Sequence, residues 1–167
     1  VNGSKKPMMI VGHGVLLGDA QNEVLQLAEK AKIPVTTTWL GASAFPAKHD
    51  LFKGMVGMHG SYAPNLMTNE CDVLIAVGMR FDDRVTGDLS RYAKQAKIVH
   101  FELDFAEVDK NVFAHYPVLG DCKETLTALN RMIIESDGRP EWFNLWNELY
   151  KKEEECVINE DINPSGD

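Results

Sequence analysis

Val73-Leu74-Ile75-Ala76-Val77 is an unbroken apolar run, and a charged string, Gly78-Met79-Arg80-Phe81-Asp82-Asp83-Arg84-Val85-Thr86-Gly87, follows it without a spacer. A strand that carries no polar residue must be covered on both faces, which is the situation of a strand in a parallel α/β sheet. Shorter runs repeat the pattern: Met8-Met9-Ile10-Val11, Ile33-Pro34-Val35-Thr36-Thr37-Thr38, Lys97–Glu102 and Tyr116–Leu119. Segments with helical spacing alternate with them. Residues 22–32 carry Val24, Leu25, Ala28 and Ala31 on one face, with Asp19 as the expected cap. Residues 61–70 form a helix with Pro64 in its first turn, a helical stretch surrounds residues 105–110, and residues 123–135 place Leu126, Leu129, Met132 and Ile133 on one side. Residues 40–60 are rich in glycine and show no regular period. The alternation predicts an α/β fold of three layers, a parallel sheet with helices on both faces. Right-handed crossovers then bring the carboxyl ends of the strands to a single edge.

The chain has 167 residues, enough for one domain with a real core. A net charge of −8 argues against a nucleic-acid partner, which calls for a basic face. No apolar stretch approaches the ~20 residues of a membrane span, and no signal peptide is visible. Cys71, Cys122 and Cys156 are scattered and odd in number, which fits a reducing cytoplasm better than a disulfide framework or a CxxC metal site. Residues 1–6 read as a polar linker and residues 7–135 as the α/β domain, so the chain is expected to be part of something larger. Residues 136–158 form a further helix with Trp142, Leu145, Trp146, Leu149 and Tyr150 as its apolar stripe. That helix either docks on a neighbouring domain or packs back on its own sheet. Residues 159–167 read as a disordered linker.

The shared edge collects a suggestive set of groups. Gly12, His13 and Gly14 end the first strand; Thr37, Thr38, Trp39 and Leu40 end the second. Gly78, Arg80, Asp82 and Val85 follow the third, Glu102 and Asp104 the fourth, and Gly120, Asp121 and Cys122 the fifth. Arginine offers a planar fork to phosphate oxygens, and backbone N–H groups beside glycines add donors. Carboxylates at later strand ends can accept from ribose hydroxyls. The composite points to a nucleotide cofactor. Gly12-His13-Gly14-Val15-Leu16-Leu17-Gly18 is one residue longer than the GxGxxG dinucleotide fingerprint, so a simple NAD site is weakly supported. Gly54-Met55-Val56-Gly57-Met58-His59-Gly60, uncharged and flexible, could line a flat ring with Met58 and His59. No nucleophile–base pair or metal-ligand cluster is evident, and His49, His100 and His115 have no mutual spacing that suggests a site.

Pro34-Val35-Thr36-Thr37-Thr38, residues 41–46, residues 54–60, residues 78–87 and Gly120-Asp121 together resemble acetohydroxyacid synthase, also called acetolactate synthase large subunit, over roughly residues 6–134. Glyoxylate carboligase and pyruvate oxidase are similar in architecture but match these strings less well. The resemblance implies the central domain of a thiamine-diphosphate enzyme, a six-stranded parallel, Rossmann-like fold that binds FAD in extended form. It implies Gly12, His13 and Gly14 beside the pyrophosphate or ribityl chain. Thr38, Trp39, Leu40, Val56, Gly57, Met58 and His59 would line the flavin, and Gly78, Arg80, Asp82 and Val85 the phosphates and ribityl chain. Glu102, Leu103, Glu107, Asp121 and Cys122 would surround the adenosine, and Asp83 and Arg84 would face the substrate channel. The parent enzyme would carry thiamine diphosphate and Mg2+ on ligands outside this chain. It would also have flanking domains, form a homo-oligomer with a regulatory small subunit, and join pyruvate to a second 2-keto acid in branched-chain amino-acid biosynthesis. The chain departs from the family at His13, Trp39 and Phe105, where glycine, leucine and proline are usual. A fragment without the outer domains is expected to be inactive. The reading from another class is a stand-alone nucleotide-binding module.

Overall fold

The computed structural model describes residues 1–158, so the expected linker at residues 159–167 lies outside the described residues. Six parallel strands form one sheet: β1 (Pro7–Val11), β2 (Val35–Thr37), β3 (Phe52–Met55), β4 (Val73–Val77), β5 (Lys97–Glu102) and β6 (Tyr116–Leu119). Their order across the sheet is β3-β2-β1-β4-β5-β6. The helices are α1 (His13–Leu17), α2 (Gln21–Ala31), α3 (Tyr62–Thr68), α4 (Asp83–Thr86), α5 (Cys122–Met132) and α6 (Pro140–Glu153).

β1 lies at the centre and is buried along its whole length. Its residues alternate between faces, as a pleated strand requires. Met9 and Val11 join Ile75, Val77 and Phe101 beneath α2 and α5, through Val24, Leu27 and Leu126. Met8 and Ile10 join Leu74 and Ala76 on the other face, beneath Met67 of α3 and Trp142 and Trp146 of α6. The expected three layers are therefore present. Trp146 has no exposed surface, and the Trp142 indole N–H donates to the Pro7 carbonyl at 2.8 Å. Of the two readings of this last helix, packing on its own sheet is what the structure has. Arg139 ties its start to the Ser4 carbonyl (2.8 Å) and the Ala31 carbonyl (2.6 Å). Tyr150 ties its end to the Lys53 carbonyl at 2.7 Å.

Several local expectations are corrected. Residues 40–60 contain β3, an edge strand that apolar periodicity could not reveal: Phe52-Lys53-Gly54-Met55 is half-buried throughout, and Gly54 at φ +78° accompanies a shift in its register with β2. Asp19 does not cap α2. It sits at φ +48°, Ala20 occupies the cap, and the Asp19 carboxylate accepts from Lys123 Nζ at 2.8 Å. His13 and Gly14, read as the end of the first strand, open the short helix α1. Residues 105–110 form a single 3-10 turn, Phe105–Glu107, capped by the Asp104 carboxylate. On α5 the inward residues are Cys122, Leu126 and Asn130, whereas Met132 is 67% exposed. The chain leaves the helix at Ile133, which turns inward in its place.

The segment read as an initial linker is fastened at Asp72. That carboxylate accepts from the Ser4 hydroxyl and from the backbone N–H groups of Lys5 (2.7 Å) and Lys6 (3.0 Å). Partial burial works against the charge of Asp72, yet these donors outweigh it and hold the carboxyl below its usual range.

Candidate functional site

Crossovers run from β1 towards β2 on one side and from β4 towards β5 on the other, so the order reverses between β1 and β4. Ligands of open α/β sheets bind outside the carboxyl ends of the strands at such a point. A cleft of about 930 Å3 opens there.

Its floor is backbone. The Gly12 N–H donates to the Val77 carbonyl at 2.9 Å, and the Gly14 N–H to the Gly78 carbonyl at 2.8 Å. A Cβ on Gly12 would stand 2.5 Å from the Gly78 oxygen. The glycines at the first strand end are therefore demanded by the charged string packed against them. Gly78, at φ +57°, turns that string out of β4. Met79 and Phe81 then point into the core, which sends Arg80 and Asp82 outward. Arg80 is 68% exposed in its side chain and lies 3.8 Å from Asp82, so its fork is free to meet an anion. The Asp82 carboxylate caps α4, accepting from the N–H groups of Arg84 (3.1 Å) and Val85 (3.3 Å).

The other wall is the loop after β3. Met58 N–H donates to the Arg84 carbonyl at 2.7 Å, locking this loop to α4. Asn65 of α3 completes the lock: its carboxamide accepts from the Gly57 N–H at 2.8 Å and donates to the Gly57 carbonyl at 3.0 Å. Gly57 needs its φ of +102° for this turn. Beyond it, Trp39 and His59 meet edge-on at 6.1 Å. Trp39, Leu40 and Met58 are each about two-thirds exposed, a large apolar surface for one corner of a small domain.

The cleft thus has an apolar end and a charged end. At the charged end the carboxylates are partly engaged. Glu102 Oε1 accepts from the N–H groups of Leu103 (2.9 Å) and Asp104 (3.2 Å), and Glu107 pairs with Lys110 at 2.7 Å.

His13 and Gly14, then Thr38, Trp39 and Leu40, line the cleft. So do Val56, Met58 and His59 on the far wall. Gly78, Arg80, Asp82, Arg84 and Val85 line it between them, with Glu102 and Glu107 at the charged end. Gly12, Gly57, Asp83, Leu103, Asp121 and Cys122 do not form its lining. Asp121 instead caps α5, accepting from the N–H groups of Lys123 (2.8 Å) and Glu124 (3.2 Å). Cys122 is buried, and burial pushes its thiol up to about 11. Leu17, Met55 and Met79 line the cleft without having been anticipated. Asp104, noted at a strand end, also lines it.

Among the described residues no group of three His, Cys, Asp or Glu is placed to hold a metal ion, and no helix is long and apolar enough to cross a membrane. The arrangement provides a flat apolar shelf, an exposed guanidinium and a set of carboxylates, groups able to hold a ligand that carries both a ring system and an anion.

Residues 1–129 match the sequence family described as thiamine pyrophosphate enzyme, central domain. The chain is 47% identical over 150 residues to a probable acetolactate synthase large subunit of Methanocaldococcus jannaschii, covering 89% of this chain and 25% of that protein. It is 41% identical over 153 residues to the acetolactate synthase large subunit of Parasynechococcus marenigrum, covering 88% and 25%. It is 44% identical over 137 residues to the acetolactate synthase of Mycobacterium avium, covering 82% and 22%. The chain spans about a quarter of the length of these relatives.

Proposed function

The chain belongs to the central-domain family of the thiamine pyrophosphate enzymes, and on that premise we propose that it is the FAD-holding middle domain of an acetolactate synthase large subunit. The observation that carries this reading is the similarity to acetolactate synthases across nearly nine-tenths of the chain.

The residues of the cleft fit the cofactor. Its volume lies towards the upper end of the ~300–1,000 Å3 usual for ligand sites, as an extended dinucleotide requires. The exposed shelf of Trp39, Leu40 and Met58 suits a flat ring system, which would cover apolar surface now facing water. Arg80 can donate two parallel hydrogen bonds to a phosphate, and its only ion partner among the described residues, Asp82, is loosely held at 3.8 Å. Glu102 keeps Oε2 for a ribose hydroxyl. Asp83 and Arg84, on the outer turn of α4, would face the substrate channel. When bound, the flavin would supply a structural or redox-capable ring; this chain's own groups orient it and keep its phosphates neutralised.

The parent enzyme would join pyruvate, after decarboxylation, to a second 2-keto acid on the way to branched-chain amino acids. Its thiamine diphosphate and Mg2+ would be held by flanking domains, in a cytoplasmic homo-oligomer with a regulatory small subunit. Because this reading puts thiamine diphosphate on the flanking domains, the chain by itself is expected to make no acetolactate.

The test is to incubate the purified chain with FAD, dialyse, and record visible absorption and flavin fluorescence. Retained flavin supports a pocket complete within this chain. If flavin is lost here yet bound by the full-length enzyme, the pocket needs its neighbours. A full-length enzyme that binds no flavin defeats the reading.

A further inference from the structure

Two side chains outside the charged string hold its backbone in place. His100, on β5, has no exposed surface, and its Nε2–H donates to the Met79 carbonyl at 2.8 Å. The same nitrogen lies 3.7 Å from Glu102 Oε2, beyond hydrogen-bond range, so the Met79 carbonyl is its acceptor and Nε2 carries the hydrogen. Nδ1 has no partner among the described residues, and the ring meets Phe81 edge-on at 5.0 Å. Asn111, an exposed residue between β5 and β6, donates from Nδ2 to the Phe81 carbonyl at 2.7 Å. The Gly78 carbonyl accepts from Gly14 N–H and the Arg80 carbonyl from Asp82 N–H. Every carbonyl from Gly78 to Phe81 is thus engaged, and the two that flank Arg80 are held by side chains.

A buried imidazole with one bare nitrogen is a poor way to fill a core, since an unpaired buried acceptor is destabilising and an aliphatic group of similar size has none. What the imidazole adds is a donor aimed at one carbonyl. Arg80 gains from that. A long, exposed guanidinium loses rotameric freedom when it grips an anion, and the loss is smaller when its backbone is already fixed.

We propose that His100 and Asn111 are positioning residues that set the path of the backbone carrying Arg80, and thereby the affinity of the cleft for the phosphates of its ligand. The second half rests on the flavin reading above; the first does not.

The test uses the whole chain, with amide hydrogen exchange over residues 79–86 as one readout and titration with FAD as the other. His100→Leu and Asn111→Ala each remove a donor, and His100→Gln keeps an N–H at a similar reach. Both removals are expected to speed exchange over residues 79–86 while β1 and β4 stay protected. Each is expected to raise the FAD dissociation constant between about twofold and tenfold, and Gln to restore both readouts. Unchanged exchange in Asn111→Ala, whose side chain is outside the core, overturns the proposal. So does loosening in His100→Leu that spreads through the whole sheet and is not restored by Gln. If the unaltered chain takes up no FAD, the titration moves to the full-length enzyme, whose failure to bind would sink the flavin reading alone, and loop exchange decides whether the two residues hold the loop.

Discussion

Gly14 and Gly78 touch through their backbones: the Gly14 N–H donates to the Gly78 carbonyl at 2.8 Å, and a Cβ on Gly14 would stand 2.7 Å from the Gly78 Cα. No side chain fits between the first strand's turn and the charged string. Gly14→Ala must push them apart, and is expected to destabilise the chain by about 1–3 kcal/mol in urea denaturation, as overpacking does. Because the displaced backbone is the floor of the cleft, flavin uptake should fall as well. Gly87→Ala is the contrast, since φ there is +57° with open space around the position. It should lose about 1–2 kcal/mol from left-handed strain and keep its flavin affinity. A Gly14→Ala chain as stable as the unaltered one would refute the close-contact argument.

Arg80→Ala should weaken FAD binding by ~1–3 kcal/mol, the effect of losing a charge-assisted pair. Its effect on stability should be negligible, because the guanidinium is exposed and its contact with Asp82 is long. Arg80→Lys keeps the charge but not the fork, so calorimetric titration should give an intermediate affinity. Equal affinity in all three chains removes Arg80 from the site.

The three cysteines should separate cleanly by reactivity. Burial pushes the Cys71 thiol up to about 12 and the Cys122 thiol up to about 11, whereas Cys156 is exposed. The thiolate is the reactive form, so at mildly alkaline pH a disulfide reagent should label one cysteine quickly. The other two should follow only on unfolding. Peptide mapping that finds Cys122 labelled first would contradict its burial.

Asp72 gives the chain an acid dependence of known sign. Its carboxyl titrates lower in the folded chain than in the unfolded one. The resulting stabilisation is present above the unfolded value of about 3.9 and is lost as pH falls through the folded value. Asp72→Asn should therefore be less stable than the unaltered chain at neutral pH, and the gap should narrow under acid. Denaturation midpoints measured across that range check it, and a gap that widens on acidification would rule the assignment out.

The sequence shows a strand where an apolar run is unbroken or nearly so, even at the exposed edge formed by Tyr116–Leu119, and hides it where lysine and glycine interrupt the run. Val73-Leu74-Ile75-Ala76-Val77 could be nothing else, while Phe52-Lys53-Gly54-Met55, half-buried at the sheet's edge, looks like loop. The helix α1 was missed for a related reason: five residues beginning His13-Gly14 have too few turns to show a period. The site was legible where charge follows a strand directly, as at Arg80. Carboxylates were harder. Asp82, Asp104 and Asp121 stand at strand ends, where a residue that caps the next turn and one that meets a ribose have the same spelling; in all three the carboxylate accepts from backbone N–H groups of the turn that follows. Asn65, His100 and Asn111 were not legible at all, because each acts on a carbonyl or N–H contributed by another part of the chain.

The pairing of β1 with β4, from Pro7 against Val73 to Val11 against Val77, joins stretches far apart in the chain. Closing so long a loop is entropically unfavourable until the strands meet, which makes this kind of contact slow to form during folding. The cleft has two walls only once that closure is complete. A ligand touching both walls recognises the closed sheet and not the open chain, so it shifts the unfolding equilibrium with the logarithm of its concentration. The melting temperature of the chain then serves as a gauge of occupancy, one that registers the two halves held together rather than either half alone.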